Sequence, residues 1–185
     1  MKKNGTICMD EIAQELIRLQ NKYAQLALNN WYTSSLFTLN WWILVFSFII
    51  PWIIFFIVLD RKRSLQIWCF GLTVIIITSF ADDLGGEIGA WIYPIKFVPF
   101  GLLAFPFDFC IIPVTFMLLY QYLIKWKSYI IALFITASIF SFIGEPISVL
   151  LGFVTYLKWR YLCSFVFYII TGIGSRLFID KISQN

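Results

Sequence analysis

Asp82, Asp83, Glu87, Asp108 and Glu145 are half of the ten acidic residues in the chain, and all five border or interrupt long apolar runs. Carboxyls in such surroundings move protons, hold a cation, or bind magnesium through oxygen. An ionisable side chain at the middle of a membrane helix costs about 2.5–3.5 kcal/mol on insertion scales. Asp108 and Glu145 are therefore expected to face inward. Like charges gathered in a dry site make a carboxylic acid available as a proton donor beside a carboxylate. Asp82 and Asp83 also stand near a helix C-terminus, where the dipole disfavours anions, and Gly85-Gly86 is expected to supply the stop. Positions that break local rules in this way tend to be functional.

Asp108 and Glu145 are thus the candidate catalytic acids. Asp82, Asp83, Glu87, Trp91, Tyr93 and Arg160 are the candidates for binding substrate or a cation, and Lys96 and Lys158 can pair with the acids from loops at the same surface. Each position has an ordinary reading too. Asp108, after Pro106, is a normal first-turn acid. Glu145, beside a Gly/Pro break, can bond freed amides or Arg160. Asp82 and Asp83 can be solvated at an interface, Trp91 and Tyr93 can be belt anchors, and Arg176 can pair with Asp180 or snorkel. The functional case rests on the five acids together.

The elements that must position them are membrane spans. The chain is 61% hydrophobic and 13% charged, with mean hydropathy +0.84, whereas soluble domains average about 45–50% apolar and about 25% charged. Lipid is the solvent for most of it, and the fold expected is an all-α polytopic bundle. The net charge of +4 comes in short clusters at the ends of apolar runs, not as the basic face that nucleic acid needs. The absence of histidine removes His-ligated zinc, haem and His acid–base schemes. Cys8, Cys69, Cys110 and Cys163 are far apart, and three lie in apolar runs as expected buried thiols. The polar N-terminus offers no removable signal peptide.

Residues 1–38 form an N-terminal unit and 39–181 the membrane domain. Five spans are expected at about 41–59, 64–83, 102–124, 128–157 and 161–179. Pro51 kinks the first, and the fourth is too long for the ~30 Å core unless it breaks near Glu145-Pro146. Pro94, Pro99 and Pro106 argue against a further span across 88–107. Depth follows from 1.5 Å per residue. Asp82 and Asp83 end the second span, Asp108 begins the third at the same surface, and Glu145 lies about 26 Å up the fourth. All five acids then crowd one half of the bundle. Arg61, Lys62, Arg63, Lys125, Lys127 and Lys181 fall on the other side, against Lys96, Lys158 and Arg160 in the loops. This predicts a cytoplasmic C-terminus and an outside N-terminus. Counting Lys2, Lys3, Arg18 and Lys22 narrows that margin.

A helix over about 9–28 is marked by Met9, Ile12, Leu16, Leu19, Tyr23 and Leu26, a heptad seam with steps of three and four. It lies on the membrane or the bundle, or it self-associates or binds a partner as a short coiled coil. Its polar face is not strongly basic, which does not favour anionic lipid.

The order Asp82-Asp83, Gly89-x-Trp91-x-Tyr93, Pro106-x-Asp108 and Met117-Leu-Leu-Tyr120-Gln121-Tyr122 resembles a family of small uncharacterised multi-span membrane proteins of spore-forming Firmicutes, over roughly residues 65–175. The resemblance implies a bacterial cytoplasmic membrane and no mechanism. More distantly, Gly89-x-Trp91-x-Tyr93 before Pro106-Phe107-Asp108 is similar to the small membrane lycopene cyclases, with Phe109 where that family has its second acid. Asp82-Asp83-x-x-x-Glu87 is similar to the Asp-rich signature of soluble class I terpene synthases. That likeness implies Mg²⁺ on Asp82, Asp83 and Glu87.

Three functions compete at this level. One is an intramembrane enzyme on a polyprenyl or other lipid substrate, cyclase-like, with a carboxyl general acid. Another is a non-catalytic membrane assembly or partner protein with the acids tied up by Lys96, Lys158 and Arg160. The last is a small proton- or cation-coupled transporter. No cofactor is demanded, and Mg²⁺ is the one ion suggested.

Overall fold

A computed structural model describes residues 3–101 and 104–183, with side chains from Asp10 onward. Six helices carry the chain: α1 Lys3–Asn30, α2 Leu39–Val58, α3 Ser64–Glu87, α4 Phe107–Tyr122, α5 Trp126–Leu150 and α6 Tyr161–Ser183. The protein is an integral membrane all-α bundle. Helices α2, α3, α5 and α6 are long and apolar enough to cross a bilayer. Helix α1 starts at Lys3, ahead of the helix expected over about 9–28, and residues 1–2 lie outside the described residues.

Helix α3 shows how the sequence sorts its faces. Ile67, Phe70, Gly71, Val74 and Thr78 point inward at helical spacing, while Leu65, Leu72, Ile76 and Phe80 are exposed, as a lipid-bathed helix requires. Close approach of α4 depends on Gly71, where a Cβ would fall 2.3 Å from the Met117 sulfur. Cys110 is buried, but Cys69 and Cys163 are exposed, contrary to the expectation of buried thiols.

The third span departs most from expectation. It was expected over 102–124, but its first two residues lie outside the described residues and the helix occupies only Phe107–Tyr122. At 1.5 Å per residue that is about 24 Å, short of the ~30 Å core. The shortfall is tolerable because α4 is enclosed by its neighbours: Ile112, Pro113, Val114, Phe116, Met117, Tyr120 and Gln121 are all buried.

Two further stops lie elsewhere than expected. Gly85-Gly86 do not end α3, and Glu145-Pro146 do not break α5. Helix α3 closes at Gly89 (φ +68°), where the Gly89 amide donates to the Gly86 carbonyl (3.1 Å) and the Ala90 amide to Gly85 (2.8 Å). This is a Schellman ending, with glycine in the left-handed position. Helix α5 ends the same way at Gly152 (φ +73°), with Gly152 donating to Val149 (3.0 Å) and Phe153 to Ser148 (2.8 Å).

Proline is absorbed by π turns. Phe107–Ile111 in α4 and Phe140–Gly144 in α5 are π-helical, with the Ile112 amide donating to Phe107 and the Glu145 amide to Phe140. Pro113 and Pro146 follow directly. A wider turn relieves the clash of the proline ring with the carbonyl four residues back, so the helix continues instead of breaking.

Beyond the helices, β1 (Trp91–Ile92) pairs antiparallel with β2 (Thr155–Tyr156), Trp91 opposite Tyr156. The Leu157 and Lys158 amides both donate to the Ala90 carbonyl (2.8 and 3.0 Å). This ribbon ties the segment after α3 to the segment after α5. Residues 93–97 are pinned from the other side, with Asn30 donating to the Pro94 carbonyl (3.3 Å) and Trp41 to Phe97 (3.0 Å).

At the far end of the bundle Arg176 is buried. Its guanidinium donates to the Leu123 carbonyl (2.9 Å) and to Ile124, lies 3.5 Å from the Asp180 carboxylate, and sits 4.4 Å from the ring centres of both Trp126 and Tyr129. Gln121 donates to Val58 (2.8 Å) and accepts from the Asp60 amide (3.0 Å). The expected Arg176–Asp180 pairing is present, with these further partners around it.

Candidate functional site

The opposite end of the bundle holds a cavity of about 530 Å³ under the β1–β2 ribbon. Its walls are mostly apolar, and three carboxyls reach them from three different helices: Asp82 on α3, Asp108 on α4 and Glu145 on α5. Leu84, Ile88, Ile139 and Ile143 line the cavity and are also 48–64% exposed, so it opens sideways between α3 and α5 toward the lipid phase.

Asp82 is held by the ribbon. One carboxylate oxygen accepts from the Trp91 indole (3.0 Å) and from the Tyr93 hydroxyl, and the other is buried with no hydrogen-bond partner among the described residues. Trp91 reaches Asp82 because its ring lies flat against Gly85, where a Cβ would come within 2.0 Å of the indole. The glycine expected to stop the helix is instead the seat of this tryptophan. Trp91 is buried, so it is not a membrane-belt anchor. Burial, and next the Asp82 carboxylate, push the Tyr93 phenol well above its usual range; burial and then Glu145 do the same for Tyr156. Both phenols therefore remain O–H donors at neutral pH.

Asp108 sits within the first π turn and is 5% exposed. Thr78, one turn before Asp82 on α3, shares its wall, but the Thr78 hydroxyl donates to the Ile75 carbonyl (3.3 Å). Glu145 directly follows the second π turn. Its oxygens accept from Ser164 (2.9 Å) and Tyr168 (3.2 Å), and Ser164 accepts in turn from the Trp159 indole (2.8 Å). Trp159 meets Trp91 edge-on at 5.0 Å, which joins the two hydrogen-bonded groups through one aromatic contact.

Of the expected site residues, Asp82, Asp108, Glu145, Trp91 and Tyr93 share this cavity. Asp83 is not part of its wall. Neighbours on a helix diverge by about 100°, so when Asp82 faces in, Asp83 cannot. Glu87 is exposed and borders a second hollow of about 570 Å³ with Tyr23, Trp31 and Lys96. Arg160 is exposed and pairs with no acid. Lys96 donates to the Tyr23 hydroxyl (2.9 Å) instead of a carboxylate. Among the described residues the ion pairs are Arg18–Glu15 and Arg176–Asp180 alone, so the cavity carboxyls have no cationic partner.

Asp82, Asp83 and Glu87 do not fit Mg²⁺. Among the described residues no three His, Cys, Asp or Glu side chains are grouped as a metal requires, and these three face different ways. Ser164, Tyr168, Tyr156 and Trp159 belong to the site but were not expected there. The signal available was the four-residue spacing of Ser164 and Tyr168, which puts both on one face of α6.

No known protein family, curated protein or solved structure matches this chain. Function therefore has to be read from the cavity itself. It is a mostly apolar chamber bordered by aromatic faces and by three carboxyls that have no cationic partner among the described residues.

Proposed function

We propose that this protein is an intramembrane enzyme that moves protons on a polyprenyl or other unsaturated lipid. The observation that carries the reading is the meeting of Asp82, Asp108 and Glu145 in one apolar cavity without a cation. The ion pairs with Lys96, Lys158 and Arg160 that an architectural role for these acids would use are not among those of the described residues.

Asp108 is the general acid. Few donors surround it, and a neutral carboxylic acid is the cheaper occupant of such a place. It gives its proton to one carbon of an alkene, and the positive charge on the adjacent carbon is stabilised by the faces of Phe107, Phe140, Trp159 and Tyr168. The Asp82 carboxylate, oriented by Trp91 and Tyr93, takes a proton from a neighbouring carbon and restores a double bond. The product is an isomer or a ring, with no atom gained or lost and no redox change. Glu145, already satisfied by Ser164 and Tyr168, acts on the charge of the intermediate.

The count of basic residues on the two sides favours an outer-leaflet position for this cavity in a bacterial cytoplasmic membrane. The test is incubation of the protein in nanodiscs with polyprenyl lipids in D₂O. Wild type is expected to yield an isomer carrying one deuterium. Asp108→Asn should lower the rate by at least about 10²-fold, the usual contribution of a general acid, and Glu145→Gln by less. Identical lipid profiles for wild type and both variants would remove the reading.

A further inference from the structure

The heptad seam of α1 is mostly uncovered among the described residues, with only Tyr23 and Leu26 bordering the hollow beside Lys96. Ile12, Leu16, Leu19, Tyr23 and Leu26 are 53–61% exposed, and α1 touches the bundle through single contacts such as Lys96 on Tyr23 and Asn30 on Pro94. Five large side chains in one stripe must meet either lipid or protein. The charges beside the stripe favour protein. Asp10, Glu11 and Glu15 equal Lys3, Arg18 and Lys22 in number along α1, so the helix has no net positive charge to draw it to anionic lipid.

The positions of those charges also specify an orientation. With Met9, Leu16 and Tyr23 at one core position and Ile12, Leu19 and Leu26 at the other, Glu15 and Lys22 both occupy the same flanking position, one residue before a core residue. In a parallel pair Glu15 would face Gln20 and Lys22 would face Ala27, leaving every charge unmatched. In an antiparallel pair Leu16 meets Leu19 of the second copy and Ile12 meets Tyr23. In that register Glu15 of each copy faces Lys22 of the other. Every core layer and both ion pairs are then satisfied by one two-fold axis between residues 17 and 18.

We propose that α1 is an antiparallel dimerisation helix, pairing with α1 of a second copy in this register. Glu15 exchanges its exposed contact with Arg18, 3.5 Å away in the single chain, for Lys22 of the partner chain. The dimer brings the α1-proximal ends of two bundles together and is independent of the chemistry proposed for the cavity.

The test uses the full chain in lipid nanodiscs or vesicles, with Cys8, Cys69 and Cys163 replaced by serine. Co-expressed Leu16→Cys and Leu19→Cys chains are expected to form the mixed disulfide in preference to either like pair. Glu15→Lys alone and Lys22→Glu alone should each weaken dimerisation about tenfold, and the double exchange should restore it. Like-pair crosslinks at 16 and 19, with no response to charge exchange, would mean a parallel pair and overturn the proposal. No crosslink at any of these positions would leave α1 on the lipid surface and overturn it equally. The exposed position of these side chains keeps all the variants folded, which a thermal melt of each checks directly.

Discussion

The two ends of the bundle treat buried charge in opposite ways. At one end Arg176 is surrounded by two carbonyls, a carboxylate and two aromatic faces. At the other, three carboxyls border a cavity with no ion-pair partner among the described residues, and one Asp82 oxygen has no hydrogen-bond partner among them. Both clusters are costly to bury. The first offsets most of that cost internally, with only the Arg176 Nε left without a hydrogen bond at 3.5 Å from the Asp180 carboxylate, so it reads as a fastener between α4, α5 and α6. The second reads as a place kept incomplete for something else to fill.

The sharpest way to break this contrast is to remove one charge at each end. Arg176→Met should destabilise the bundle by about 3 kcal/mol or more, because it strands the Leu123 and Ile124 carbonyls and the Asp180 carboxylate. Asp108→Asn should change stability by less than about 1 kcal/mol, since it breaks no pairing and removes a group that resists burial. Reversible unfolding in mixed micelles measures both. A larger loss for Asp108→Asn than for Arg176→Met would reverse the assignment of the two ends.

A smaller effect is expected at the ribbon. Gly85→Ala must displace the Trp91 ring, costing about 1–3 kcal/mol and detaching the indole from Asp82, with a change in tryptophan emission. Gly174→Ala is the control, because its Cβ would meet nothing within 4 Å; it should be neutral or stabilise by up to about 1 kcal/mol through helix propensity. Equal effects at the two glycines would mean that Trp91 is not seated as described.

Smaller still is the removal of one donor. Tyr93→Phe should cost about 1 kcal/mol while leaving the indole on Asp82. The two raised phenols add an alkaline signature. Tyr93 and Tyr156 ionise in the folded protein only above their unfolded value of about 10. Their share of stability is therefore intact below pH 10 and is lost as pH climbs past it. Tyr93→Phe should flatten that alkaline decline in a melt series. An unchanged slope would mean that Tyr93 is solvated.

The meeting of Asp82, Asp108 and Glu145 was legible in the sequence because depth in a membrane helix is nearly a count of residues. The direction a side chain takes around the axis is not such a count. Asp83 and Glu87 belong to the same end of α3 as Asp82 but do not line its cavity. Gly85 and Pro146 looked like interruptions because local propensity treats them so. In the folded chain one is covered by a tryptophan and the other follows a widened turn, and neither partner could be foreseen from its neighbours. The β1–β2 ribbon is four residues long, well below what alternation can reveal. Ser164 and Tyr168 were hidden inside an apolar run, where a hydroxyl is usually unremarked.

A π turn contains one residue more than the α turn it replaces; the one in α4 holds Asp108 and the one in α5 directly precedes Glu145. Deleting a single residue from either turn would leave hydropathy, length and helical content almost untouched. It would nevertheless swing one side of that helix by about 100° relative to the other. The acids face their chamber, in other words, by virtue of an extra link in the chain as much as by their own chemistry.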